Sequence, residues 1–139
     1  MQAKNISEVL TLLEEVIART IKEDDAHGIF AALYYQMTRR VKQGIDEGRF
    51  DDGARMDRFD TIFANRYFEA LTQRSAGQEP SRSWRVAFSA ARETDNIALQ
   101  HMLLGVNAHI NFDLPIAAEQ TAPDTVSYTH LTLPTKCWV

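Results

Sequence analysis

The stretch from Asn96 to Pro115, NIALQHMLLGVNAHINFDLP, constrains the fold of this chain more than any other. It is largely apolar and carries no charged residue before Asp113, yet it contains six amide or imidazole side chains. Its apolar residues recur at helical spacing, and it is too short and too polar to span a bilayer. We therefore predict a central helix over about residues 96–114, which begins after Thr94 or Asp95 as N-cap and is stopped by Pro115.

Helical periodicity also dominates the preceding sequence, and no strand-like alternation occurs before residue 125. The first three predicted helices have a local start signal of the kind that caps helices. The first predicted helix runs from Asn5, with Glu8 completing its capping arrangement, to about Ile21. The second runs from Asp24 or Asp25 to about Gly44, and the third from Asp51 or Asp52 to about Arg74. A shorter fourth helix is predicted around Trp84 to Ala91. The predicted fold is an all-α, single-domain helical bundle over residues 1–125.

Composition excludes several classes of function. The chain has 139 residues, 45% hydrophobic and 24% charged, with a formal net charge of −4. An acidic balance disfavours a broad nucleic-acid or anionic-membrane surface, so we expect neither partner. The N-terminus lacks a signal pattern and the only cysteine is Cys137, which favours a cytoplasmic protein without an intrachain disulfide. Composition is also compatible with a homo-oligomer.

A helical wheel divides the central helix into an aliphatic stripe and two polar stripes. The amides are expected to tie neighbouring helices together, and the small residues Gly105 and Ala108 permit close approach of another helix. The aliphatic stripe is Leu99, Leu103, Val106, Ile110 and Leu114; the amide stripe is Gln100, Asn107 and Asn111; the ridge is His101, Gly105, His109 and Asp113.

The ridge supports two alternative interpretations. His109 and Asp113 are one helical turn apart, and Asp60 falls on the core-facing arc of the third helix, so the three could bind zinc, iron or manganese. With an open position for water, that site would suit a metal-dependent hydrolase. Alternatively, His109 and Asp113 bond each other or Arg66 in a buried network, and Asp60 pairs with an arginine such as Arg66.

Three functions follow from these interpretations. The favoured one is a structural or small-ligand-binding module with a buried His/Asn/Asp cluster. The metal-dependent hydrolase using His109, Asp113 and Asp60 is the second. The third is a helical partner-binding protein, which predicts a large exposed apolar face. No catalytic nucleophile motif or phosphate-binding loop is present, and His27 is expected to be a capping or surface residue.

Four segments carry a resemblance to a known family: FAALYYQMT, GRFDDGARMDRFDTIFANRYFEAL, SRSWRVAF and QHMLLGVNAHINFDLPIA. Together they resemble an uncharacterised bacterial family, the domain of unknown function number five-nine-nine-five, over nearly all of residues 6–124. The resemblance implies a helical protein of unknown activity and supplies no catalytic residues. It places these residues in the family's motifs: Asp60, Asn65, Arg66, Tyr67, His101, Asn107, His109, Asn111 and Asp113.

The sequence from Val126 onward differs in character from the rest. VSYTHLTLPT resembles the translation of a transposon-end adapter used in tagmentation libraries, and the remaining residues fit the continuation of that adapter. We therefore expect residues 126–139 to be an adapter-derived tail. Members of the resembled family are longer at the C-terminus, so we expect residues 1–125 to be a truncated domain that lacks a C-terminal segment.

Overall fold

A computed structural model describes residues 1–93 and 95–121 of the chain, and this part is all-α, as predicted. The expected adapter-derived tail at residues 126–139 lies outside the described residues. A π-helical segment, named the π segment below, joins the last two helices without a break. The elements are α1 (Ile6–Glu23), α2 (Gly28–Asp46), α3 (Gly53–Ser75), α4 (Arg82–Ala90), α5 (Ala98–Ala108), the π segment (His109–Asp113) and α6 (Leu114–Thr121).

Local capping signals predicted the starts of α1 and α3 correctly. Asn5 Oδ1 accepts a hydrogen bond from the Glu8 N–H at 2.9 Å, and Glu8 Oε2 accepts one from the Lys4 N–H at 2.8 Å. Asp52 caps α3 in the same way, through the Arg55 N–H at 2.9 Å. Each bond satisfies a backbone donor that the first helical turn leaves free.

The start of α2 differs from the prediction. Asp24 ends α1 in a left-handed conformation with φ of 51°, and Asp25 accepts from the His27 N–H without becoming the N-cap. His27 occupies that position but is buried, contrary to the expected surface location. The turn is tight because Gly28 lies against Thr20, where a Cβ would collide with the Thr20 side chain.

The core is aromatic and lies where α2, α3 and α4 meet the inner side of α5 and the π segment. Phe30, Tyr67 and Trp84 are almost completely buried, with ring centroids 5.0–5.6 Å apart. Edge-to-face and tilted contacts of this kind add to the roughly 1.5–3 kcal/mol that burial of one large apolar side chain contributes. The α1 residues Val9, Leu13 and Val16 extend the same core.

Pro115 does not stop the central helix, contrary to the prediction. The Leu114 N–H donates to the His109 carbonyl, five residues back, so the helix widens immediately before the proline. Pro115 then lies in the first turn of α6, where a missing N–H removes no α-helical hydrogen bond. At the N-terminal end of α5, Ile97 occupies the N-cap position that was predicted for Thr94 or Asp95. The Ile97 N–H donates to Gln100 Oε1 at 2.8 Å. Thr94 lies outside the described residues.

The central helix is not buried all round, because its amide stripe and three residues of its aliphatic stripe face outward, whereas Val106 and Leu114 of the aliphatic stripe pack against the core. Leu99, Leu103 and Ile110 are exposed, whereas His101, Gly105, His109 and Asp113 of the ridge face the core. Gly105 permits this orientation, because a Cβ there would lie 2.5–2.8 Å from side-chain atoms of Phe30. In the described residues, no helix is long and apolar enough to cross a membrane.

Candidate functional site

The strongest polar arrangement of the described residues centres on the carboxyl group of Asp113, which is only 1% exposed. Its Oδ2 accepts from Trp84 Nε1–H at 2.8 Å and lies 2.9 Å from His109 Nδ1. Its Oδ1 lies 3.7 Å from Arg66 Nε. Two hydrogen bonds and a nearby guanidinium offset the cost of burying this carboxyl group. The predicted network of His109, Asp113 and Arg66 is therefore confirmed.

His109 is held as a neutral ring. Burial lowers its pKa, and the hydrogen bond to Asp113 opposes the shift without reversing it. The bond to Asp113 favours the tautomer with the proton on Nδ1, which leaves Nε2 as an acceptor. In the described part of the chain, Nε2 has no hydrogen-bond partner. The ring stacks on Phe63 at 3.6 Å and meets Tyr34 edge-on at 4.5 Å, so packing fixes its orientation.

The π segment explains how His109 and Asp113 both point inward. Three successive residues between them, Ile110, Asn111 and Phe112, are exposed. A π-helical turn contains about 4.4 residues, whereas an α-helical turn contains about 3.6 residues. The longer turn places all three residues on the outside before the helix returns to the core. Single π-helical turns within α-helices occur frequently at functional sites. The segment is thus a structural reason to place the site here.

A pocket of about 240 Å³ opens above Asp113, between α3, the α3–α4 connection and the π segment. Arg66, Ser81 and Trp84 line it together with Asp113. Arg66 donates to Glu69 through Nη1 at 3.3 Å, but its buried Nε–H has no hydrogen-bond acceptor among the described residues. The carboxyl group at the centre of the network is therefore reachable from outside, next to an unsatisfied donor.

A second buried polar group contains Asp60, Tyr34 and Thr38. Asp60 Oδ2 is buried and without a hydrogen-bond partner in the described residues, and the buried hydroxyls of Tyr34 and Thr38 lie close to each other. Burial, and then the charge of Asp57, raises the pKa of Asp60 to about 7. The predicted ion pair of Asp60 with Arg66 or another arginine is wrong for the described residues, because Asp60 has no salt bridge there and Arg66 pairs with Asp113 and Glu69.

The structure does not assemble the predicted metal ligands. Within residues 1–93 and 95–121, no group of three or more His, Cys, Asp or Glu side chains could hold a metal ion. Asp113 Oδ2 and His109 Nδ1 bond each other, which leaves His109 Nε2 and the unpaired oxygen of Asp60. His109, Asp113 and Asp60 therefore do not form a three-ligand site in this arrangement.

The other predicted site residues lie apart from this network. Asn65 bonds the backbone of Ala3, and Tyr67 Oη lies 2.8 Å from His27 Nε2. His101 is buried beside a separate cleft of about 530 Å³. The predicted role of the amides in tying helices together is wrong, because Gln100, Asn107 and Asn111 are exposed, with Asn111 donating to Asn107 at 2.6 Å.

Sequence reasoning missed Trp84 as a member of the site. It was predicted only as part of a short helix. A buried indole almost always finds an acceptor for its N–H, and that requirement was the available signal. The acceptor, Asp113, is 29 residues away in the sequence, so no local pattern identified it.

The comparisons with known proteins identify the family of the chain. The sequence profile of a family of unknown function, DUF5995, matches residues 6–132. The chain therefore belongs to this family, which confirms the resemblance found in the sequence. No curated protein and no solved structure showed significant similarity to the chain.

Proposed function

We propose that this protein is a helical small-ligand-binding module whose recognition site is the pocket above Arg66, Trp84 and Asp113. One observation carries the proposal. Arg66 and Asp113 line that pocket, and Arg66 Nε–H, a buried donor with no hydrogen-bond acceptor in the described residues, lies 3.7 Å from Asp113 Oδ1. A buried donor without an acceptor costs free energy, and a ligand group that bonds to both atoms from the pocket side removes that cost.

The two atoms define the chemistry of the ligand. A hydroxyl or carboxamide group can accept a hydrogen bond from Arg66 Nε and donate one to Asp113 Oδ1 at the same time. A pocket of about 240 Å³ is smaller than the usual drug-sized site, so the ligand is a small metabolite. Trp84 and Phe112 supply the apolar part of the wall, which suits a polyol or a small amide.

His109 has a positioning role in this proposal. Its Nδ1 holds Asp113 Oδ2, and its ring is wedged between Phe63 and Tyr34. It is not among the residues that line the pocket. Its contribution is to fix the carboxyl group so that Oδ1 faces the ligand, as supporting groups do in preorganised sites.

Thermal-shift and calorimetric titration with a panel of small polyols, sugars and amides tests the proposal. We expect one class to raise the melting temperature, and Asp113→Asn to weaken its binding by about tenfold or more, since a lost hydrogen bond to a charged group costs roughly 1.5–3 kcal/mol. Asn107→Ala, an exposed change outside the pocket, is the control. Equal binding by the wild type and Asp113→Asn would refute the site.

The metal-dependent hydrolase is a competing proposal with a separate test. It requires a stoichiometric ion bound by His109, Asp113 and Asp60, and the described geometry gives it no three-ligand group. Elemental analysis of protein purified without chelators distinguishes the two proposals. An ion that is present in the wild type and lost in His109→Ala would favour the hydrolase over the ligand-binding module.

A further inference from the structure

We propose that the cleft between the α1–α2 turn and the α4–α5 connection is a second binding site of this chain, which takes a small organic amine in its ammonium form. The cleft, named the His101 cleft, measures about 530 Å³. That volume lies within the range of roughly 300–1,000 Å³ that is usual for small-molecule sites. The His101 cleft shares no lining residue with the pocket above Asp113, so the two sites are separate.

His101 gives the cleft a buried polar group that lacks a partner. Only 6% of this residue is exposed, and its Nδ1 has no hydrogen-bond partner among the described residues. A ring nitrogen is a donor or an acceptor in either tautomer, so a buried one that is left unpaired costs free energy. Because His101 lines the cleft, a polar group that enters its deep part can supply the missing hydrogen bond.

Two carboxylates at the end of α1 determine the charge that the ligand should carry. Glu23 and Asp24 line the cleft and are exposed, and neither forms a salt bridge in the described part of the chain. Asp24 is also the C-cap of α1, so the partial negative charge at the C-terminus of that helix adds to the charge of the carboxylates. This end of the cleft therefore favours a cation.

The other charged residues of the cleft do not neutralise these carboxylates. Asp25 pairs with Arg74 at 2.8 Å, and the Arg74 guanidinium lies over the Phe88 ring, 4.9 Å from its centroid. Arg92 and Glu93 both come from the α4–α5 connection and carry opposite charges. Four carboxyl groups and two guanidinium groups line the cleft in all, so its formal charge is negative.

An organic amine fits this lining better than a metal ion does. The described residues contain no group of three or more His, Cys, Asp or Glu side chains that could hold a metal ion. An ammonium group has three N–H donors, as many as two carboxylates and one imidazole nitrogen can accept. Ile29, Ala91 and Ala98 also line the cleft, and they supply apolar contacts for a short carbon chain.

Calorimetric titration of the full chain with the diamine putrescine at low ionic strength tests the proposal. We expect saturable binding with a dissociation constant on the order of 1 mM or tighter, since exposed ion pairs are weak. Asp24→Asn should weaken the binding at least about threefold. Asparagine adopts the left-handed conformation of the C-cap as aspartate does, so the variant keeps the turn. The NMR resonances of the His101 ring should shift during the titration.

Glu15→Gln is the matched control. Glu15 is an exposed carboxylate on the same helix, about two turns before Glu23 and outside the cleft. The variant removes the same charge and should leave putrescine binding unchanged. The proposal is overturned if putrescine does not bind at concentrations up to about 10 mM, or if the His101 ring is unaffected at saturation. It is also overturned if Glu15→Gln weakens binding as much as Asp24→Asn does, because the amine would then be attracted only to an acidic surface.

Discussion

Asp60 shows what one buried carboxyl group does to the stability of a helical domain of this size. Its pKa is raised from 3.8 to about 7, so the folded protein holds a proton that the unfolded chain releases above about pH 4. The stability that this group contributes is fully present below pH 4 and is lost as the pH rises through 7. The direction is opposite to that of a salt-bridged carboxylate.

The Asp60→Asn variant should remove this dependence on pH. Relative to the wild type, we expect its free energy of unfolding to rise by about 1–3 kcal/mol between pH 5 and pH 8, because a buried charge no longer forms. Urea unfolding at the two pH values measures the difference. Asp46→Asn, at an exposed site on α2, is the control. A difference that is constant with pH would show that Asp60 is not the group responsible.

Gly105 is the residue on which the contact between α5 and α2 depends. In an exposed helix, Gly→Ala stabilises by roughly 0.5–1 kcal/mol, but a Cβ here would lie 2.5–2.8 Å from Phe30. The clash exceeds the propensity gain, so we expect Gly105→Ala to lower the free energy of unfolding by about 1–3 kcal/mol. Chemical denaturation measures this, with exposed Asn107→Ala as the control, and a stabilised Gly105→Ala variant would contradict the observed packing.

At the scale of the helices, the π segment allows Pro115 to lie within a continuous helix. The proline follows a turn in which the hydrogen-bond pattern has already changed, so its missing N–H costs little there. We expect Pro115→Ala to change stability by less than about 1 kcal/mol, compared with about 3 kcal/mol for a proline inside a helix.

Ala118→Pro is the matched comparison for that prediction. It places the same residue type three positions later, inside α6, and should cost about 3 kcal/mol or more. Thermal unfolding of both variants supplies the measurement. If Pro115→Ala proved strongly stabilising, the helix would be strained at the proline, and the π segment would not relieve it.

The helices themselves could be predicted from the sequence because their signals are local. Asn5 with Glu8 and Asp52 with Arg55 lie within one turn of the bonds that they make, so a short stretch of sequence contains the whole cause. The direction that α5 faces is not local. Its aliphatic stripe and its His/Asp ridge both repeat every three to four residues, so periodicity alone cannot show which of the two faces the core.

The candidate site was predictable only in part for the same reason. The spacing of His109 and Asp113 indicated that they could bond each other, and they do at 2.9 Å. The bonds that complete the network come from Trp84 and Arg66, on two other helices. Which arginine pairs with which carboxyl group depends on tertiary packing, so Arg66 was as reasonable a partner for Asp60 as for Asp113.

At the scale of the whole molecule, the pocket and the exposed leucines lie on different sides of the same central helix. The pocket above Arg66, Trp84 and Asp113 depends on the inward residues His109 and Asp113, whereas Leu99 and Leu103 are exposed on the opposite side. Substitutions of these leucines therefore leave the pocket chemically unchanged.

The N-terminal segment depends on α3 for its position, and this contact closes the bundle. Asn65 accepts from the Ala3 N–H at 2.7 Å and donates to the Ala3 carbonyl at 2.9 Å, and Asp57 accepts from the Ile6 N–H at 3.0 Å. These bonds join parts of the chain more than 50 residues apart. They satisfy backbone groups in front of α1 that its own helix cannot pair.

Asn65→Ala should therefore act on the whole bundle as well as on one loop. Two hydrogen bonds to partly buried backbone groups are lost, which we expect to cost about 2–3 kcal/mol in the free energy of unfolding. Hydrogen exchange should accelerate at residues 1–8 before it does in α3, because the cap of α1 is released first. Unchanged exchange at residues 1–8, with stability within about 0.5 kcal/mol of the wild type, would show that the packing of Val9, Leu13 and Val16 alone holds α1 in place.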